Sequence, residues 1–167
     1  MNAQELRALQ APIKERYRGD AEAAVVTLHA SGRLGEGVTC SVETGRAMVK
    51  AGLHPASGGN GLSACSGDML LQALVACAGV TLNAVATALG IEIRGGEVRA
   101  EGDLDFRGTL GVARDAPVGF RDIRLKFLLE TDAGREQLDK LLQLTERYCV
   151  VYQTLRASPS IKVELAA

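Results

Sequence analysis

The hydrophobic pattern changes period several times along the chain, and each change marks an element. Leu6, Leu9 and Ile13 recur at helical spacing and predict a surface helix over residues 2–18, bent or interrupted at Pro12. The β-rich run from Val25 to Ala30 predicts a strand, and the glycines between residues 32 and 37 predict a turn after it. Val38, Cys40 and Val42 alternate with Thr39, Ser41 and Glu43, the pattern of a strand buried on one face. Residues 46–51 read as a third, weaker strand, and residues 55–61 are loop by composition. A long apolar stretch from Met69 to Leu89 follows, with Ser66 or Asp68 as its expected N-cap and Gly90 as its left-handed end.

Beyond Gly90 the period returns to two. Val98, Ala100, Leu104 and Phe106 share one face of a predicted strand, and a Gly- and Pro-containing turn occupies residues 108–119. Ile123, Leu125, Phe127 and Leu129 give the clearest strand in the chain. From about Gly134, Leu138, Leu141, Leu142, Thr145 and Tyr148 fall at helical spacing, and Ile161, Val163 and Leu165 predict a last strand. Strands gathered around separate helices argue an α+β fold rather than a doubly wound sheet. The stretch from Met69 to Leu89 is long enough for a bilayer, but Gln72 and Asn83 interrupt it and no basic cluster flanks it, so the expectation is a core helix. One small sheet cannot cover a helix that is apolar nearly all round. A second copy of the chain is therefore expected to cover its other face, giving an intimate homodimer.

Composition narrows the function. The 167 residues are 47% hydrophobic, which suits one globular domain. Nineteen basic and 20 acidic residues are evenly scattered, aromatics reach only 4% and tryptophan is absent. Nucleic-acid binding thus has neither a basic stripe nor a stacking platform. The N-terminal residues lack a secretory pattern, so four cysteines are expected as reduced thiols in the cytoplasm, and no membrane partner is expected.

The chain has no GxGxxG after a strand, no P-loop, no HExxH and no GxSxG. His29 and His54 are too few for a histidine-rich metal site, and His29 reads as a structural strand residue. Cys40, Cys65, Cys77 and Cys149 contain no CxxC pair, which argues against zinc and against a thioredoxin-type site. Cys77 lies mid-helix among Ala76, Ala78 and Gly79, where packing alone would account for a cysteine, although small neighbours leave room beside the sulfur. An apolar mid-helix position raises a thiol pKa, so a reactive Cys77 would need a delivered cation. Arg33, in its glycine-flanked turn, is the best candidate, with Arg18, Arg46 and Arg147 as rivals. Cys149 falls on the inner face of the second helix or in the break after it.

Two segments together resemble the OsmC/Ohr family, named for osmotically inducible and organic hydroperoxide resistance proteins. Gly67-Asp68-Met69-Leu70-Leu71-Gln72-Ala73-Leu74-Val75-Ala76-Cys77-Ala78-Gly79-Val80-Thr81-Leu82 is similar to the family's first cysteine helix. Arg147-Tyr148-Cys149-Val150-Val151-Tyr152-Gln153-Thr154-Leu155 is similar to its second cysteine segment. The resemblance covers roughly residues 21–165, so residues 1–20 are expected as a helical extension and residues 21–167 as an OsmC-like domain. It implies an intertwined homodimer with antiparallel or mixed sheets wrapped around two central helices, and active sites at the subunit interface.

The resemblance also implies roles. Cys77 becomes the peroxidatic thiol, Cys149 the resolving thiol, and Arg33 the arginine that stabilises the thiolate. An organic hydroperoxide is the implied substrate and an external dithiol the implied reductant, with no metal and no bound cofactor. The sequence departs from the family pattern at Gly67, where peroxidase members usually carry a glutamate that pairs with the arginine; Asp68, adjacent and shorter, is the fourth catalytic candidate, as its substitute. It departs again at Val150, commonly proline, and in the additional Cys65, a second candidate resolving thiol. A non-catalytic member that binds an apolar ligand or senses oxidants is the alternative, and an interaction scaffold with inert core cysteines is a third reading.

Overall fold

A computed structural model describes residues 3–34, 40–42 and 51–165. Helix α1 spans Ala3–Gly19 and continues through Pro12. Strands β1 (Val25–Leu34) and β2 (Cys40–Val42) precede the long helix α2 (Ser66–Leu89). Strand β3 (Gly95–Asp105), the short helix α3 (Phe106–Thr109), strand β4 (Phe120–Glu130) and helices α4 (Arg135–Tyr148) and α5 (Val150–Arg156) complete the order.

The described strands form one antiparallel sheet in the order β2-β1-β3-β4. Arg33 pairs with Glu97 across β1 and β3, and Val98 with Phe127 across β3 and β4, with an irregularity between Asp103 and Leu104. Alternation fixes the register: Val98 and Ala100 are fully buried on the face beneath α2, whereas Arg124, paired with Asp103 and Asp122, lies on the charged outer face. Leu71, Leu74, Val75 and Ala78 of α2 close over Val98 and Ala100, and Cys149 joins that cluster. A second cluster joins Leu82, Val85 and Ala86 of α2 to Leu141 of α4. Helix α1 docks through Tyr17, whose hydroxyl donates to the Ala56 carbonyl at 2.8 Å and whose ring is buried with Phe106 and Leu110.

The α+β class and the long helix ending at Gly90 (φ 67°) follow the sequence reading. Five local expectations do not. Pro12 leaves α1 continuous. The turn expected from residue 32 is strand as far as Leu34, because pairing with Glu97 and Val98 carries Gly32 and Arg33 in extended form; residues 35–39 lie outside those described. The N-cap of α2 is Cys65, with no side-chain cap bond, so Ser66 opens the helix and Asp68 sits in its first turn. Phe106 leaves the strand for α3 because the Asp105 carboxylate accepts from the Arg107 N–H and caps a new turn. Finally, Ile161, Val163 and Leu165 form no strand: they are 81–94% exposed, since alternation selects a face but does not supply a partner. The expected strand at residues 46–51 falls almost wholly outside the described residues.

Candidate functional site

The site is built where α2 meets the break between α4 and α5. On α2, the apolar positions that face the sheet place Cys77 at the edge of the buried stripe, half-buried, with Thr81 one turn further on. Helix α4 runs regularly to Tyr148 and then breaks at Cys149, whose ψ of 107° is extended. Helix α5 begins at Val150. Cys149 is 1% exposed, so the break lies inside the core and against α2.

This geometry gives the two thiols opposite character. Burial pushes the Cys77 thiol up, but the donors around it outweigh that: the Val151 N–H, the Cys149 thiol, the Thr81 hydroxyl and the Val150 N–H all favour the thiolate. Its pKa falls below the ordinary 9.0. Burial also pushes Cys149 up, to about 11, against the opposing pull of the nearby Tyr152 N–H; the neighbouring Cys77 and the charge of its thiolate push it further. The arrangement therefore holds one sulfur ready to ionise beside another that keeps its proton.

Of the four residues singled out as catalytic, the fold brings Cys77 and Cys149 together. Arg33 is exposed on β1 and lines a hollow with Glu97, Arg99 and Glu130; the Arg99 hydrogen bond holds the Glu97 carboxyl down, and the Arg33 charge adds a smaller push the same way. Asp68 is half-buried in the first turn of α2, a position that favours a carboxylate, roughly 13 Å along the helix axis from Cys77. Among the rival arginines, Arg18 pairs with Glu15 at 2.7 Å, Arg147 lies over the Tyr148 ring at 5.4 Å, and Arg46 is outside the described residues. Cys65 is twelve residues before Cys77, about 18 Å along the helix. A disulfide needs Cα atoms within roughly 7 Å, so Cys65 cannot resolve Cys77 within this chain without unfolding α2.

Sequence reasoning missed the amides of Val150 and Val151. The only available signal was weak: two β-branched residues after Tyr148 are poor helix formers. His54 accepts from the Ala56 N–H and stacks on Phe106, a structural role. Among the described residues, no group of three or more His, Cys, Asp or Glu side chains could hold a metal ion.

A broad groove of about 920 Å³ runs beside β4, floored by Leu74, Leu125, Phe127 and Leu141 and reaching Tyr152 and Leu155 of α5. Neither sulfur lines it, although Tyr152 and Leu155 also pack on the cluster that holds both cysteines. Among the described helices, α2 alone is long and apolar enough to cross a membrane, and half of its most apolar stretch is buried inside the chain.

The sequence profile of a family described as OsmC-like protein matches residues 58–164, a span that contains both cysteines. Solved structures share the fold, among them two OsmC-like proteins. One is an OsmC-like hydroperoxide resistance protein from Jannaschia sp. CCS1, 18% identical, with a TM-score of 0.59 over 86% of this chain and 95% of its own. The other is an OsmC-like protein from Mycoplasma pneumoniae, 17% identical, with a TM-score of 0.56 over 80% of this chain and 86% of its own. No curated protein sequence matches the chain.

Proposed function

The chain belongs to the OsmC-like protein family, and from that premise we propose that it is a thiol-dependent peroxidase that reduces organic hydroperoxides at Cys77 and resolves through Cys149. One observation carries the reading: Cys77 packs against the buried cluster that holds Cys149, with Cys77 made more acidic and Cys149 held protonated. The Cys77 thiolate attacks the distal oxygen of ROOH. The O–O bond breaks, sulfur is oxidised to a sulfenic acid, and the departing alkoxide takes a proton to become ROH. The Cys149 sulfur then attacks the sulfenic sulfur, forming the disulfide and releasing water. An external dithiol returns both thiols by exchange, becoming a disulfide itself.

The coupling of the two thiols supports this order of events. Part of what holds the Cys149 proton is the negative charge on Cys77. That part disappears when Cys77 becomes a neutral sulfenic acid, so Cys149 grows more acidic at the step where it must attack. The apolar surroundings of Cys77 favour alkyl hydroperoxides over hydrogen peroxide.

We propose a homodimer in the cytoplasm as the working form. Met69, Leu70, Val80 and Leu89 of α2 are 37–39% exposed, and together with the bare Ile161, Val163 and Leu165 they leave large apolar side chains for a second copy to cover. In the single chain Arg33 acts on Glu97, so its proposed role at the thiolate belongs to the assembled dimer, with Asp68 its proposed carboxylate partner.

A non-catalytic reading has one observation of its own, the groove beside β4, apolar at its floor and charged at its rim, that neither sulfur lines. Cumene hydroperoxide with a dithiol separates the two. Turnover lost in Cys77→Ser supports the peroxidase, whereas ligand binding without turnover supports a carrier or sensor.

A further inference from the structure

In an unbroken helix, the N–H groups of Val150, Val151 and Tyr152 would bond to the carbonyls of Glu146, Arg147 and Tyr148. The extended ψ at Cys149 interrupts that ladder. Before the break, the Cys149 N–H still reaches the Thr145 carbonyl at 2.9 Å; after it, the Gln153 N–H resumes on the Cys149 carbonyl at 2.9 Å. The three amides in between open α5 beside the two sulfurs, where those of Val150 and Val151 favour the Cys77 thiolate and those of Val151 and Tyr152 act the same way on Cys149. The Glu146 carbonyl, deprived of its helical donor, accepts from Gln153 Nε2 at 2.7 Å, a half-buried bond spanning seven residues.

We propose that Gln153 is a positioning residue: its carboxamide replaces the Val150 N–H on the Glu146 carbonyl and thereby keeps the α4–α5 break open, with the Val150 and Val151 amides on the Cys77 sulfur. Without that donor, the most direct way to satisfy the Glu146 carbonyl is for Val150 N–H to return to it, which extends α4 and withdraws an amide from the thiolate. The inference rests on the reading of Cys77 as the reacting sulfur. The requirement is for a donor at this length, not for charge or bulk. A side chain of similar length without a donor should fail, and a longer one with a donor should serve.

The test is the pH dependence of iodoacetamide alkylation at Cys77, resolved by peptide mass spectrometry, in the full chain. Gln153→Met is expected to move the midpoint up by roughly half to one pH unit, about three- to tenfold slower alkylation below it. Gln153→Lys is expected to keep the original midpoint. Gln153→Leu is a second donor-free variant should Gln153→Met fold poorly. An unchanged midpoint in a folded donor-free variant overturns the proposal, as does an equal shift in Gln153→Lys. Alkylation needs no peroxide, so a chain without turnover that still shows the shift contradicts the peroxidase reading and leaves the positioning role standing.

Discussion

Cys77 and Cys149 pack in one cluster and perturb each other, yet the fold drives their acidities apart, Cys77 below 9.0 and Cys149 to about 11. Seventy-two residues separate them in the chain. The break that buries Cys149 is also what frees the amides that reach Cys77, so one local irregularity sets both thiols.

This asymmetry predicts a pH profile. Peroxide consumption and Cys77 alkylation should rise with pH through a midpoint below 9.0, while Cys149 stays largely unmodified until pH approaches 11. Site-resolved alkylation between pH 6 and about 11 checks the order. The reverse order, Cys149 labelled first, would exchange the two roles.

The same shifts predict a stability profile. Cys77 is more acidic folded than unfolded, so its contribution grows as pH rises through the folded midpoint toward 9.0. Cys149 is less acidic folded, so its contribution is complete below 9.0 and is lost as pH rises toward about 11. Urea unfolding of the reduced protein should therefore show stability falling over that upper interval. Cys149→Ala should abolish the fall.

In Cys149→Ser the hydroxyl keeps a donor near Cys77, but no sulfur is left to resolve it. One equivalent of hydroperoxide should be reduced at near-normal rate, after which turnover should fall at least about tenfold as the sulfenic acid persists or over-oxidises. Stopped-flow peroxide consumption with sulfenic-acid trapping measures both phases. Full turnover would remove Cys149 from the cycle.

Arg33→Ala and Asp68→Asn test the interface roles. Arg33→Ala is expected to raise the Cys77 midpoint in the dimer, and Asp68→Asn to give a smaller change in the same assay. An unmoved Cys77 midpoint in Arg33→Ala takes that guanidinium out of the site.

Val80 lies one turn from Cys77 on the exposed side of α2. Val80→Glu should convert a dimer to monomer on light scattering, because a charge buried in an apolar interface costs several kcal/mol. A monomeric parent protein would contradict the proposed assembly.

Sequence patterning exposed the elements whose signals are local and uncontested. Alternation from Ile123 to Leu129 defined β4, and Gly90 closed α2 where a left-handed residue was needed. It failed where a partner decides. Ile161, Val163 and Leu165 alternate as a strand does, but among the described residues no strand receives them, and Gly32 reads as turn although β3 holds it extended. At the site, the cysteines and their pairing were legible through the family resemblance. The amides of Val150 and Val151 were not, because backbone donors leave no mark on the sequence; only the break at Cys149, a tertiary event against α2, turns them toward sulfur.

The most direct test treats the reduced protein with one equivalent of cumene hydroperoxide and maps disulfides by non-reducing peptide mass spectrometry. The account predicts one equivalent of cumyl alcohol and a peptide pair joined through Cys77 and Cys149. Unconsumed peroxide with both thiols intact, or alcohol formed with Cys77 joined to some other cysteine, would contradict it.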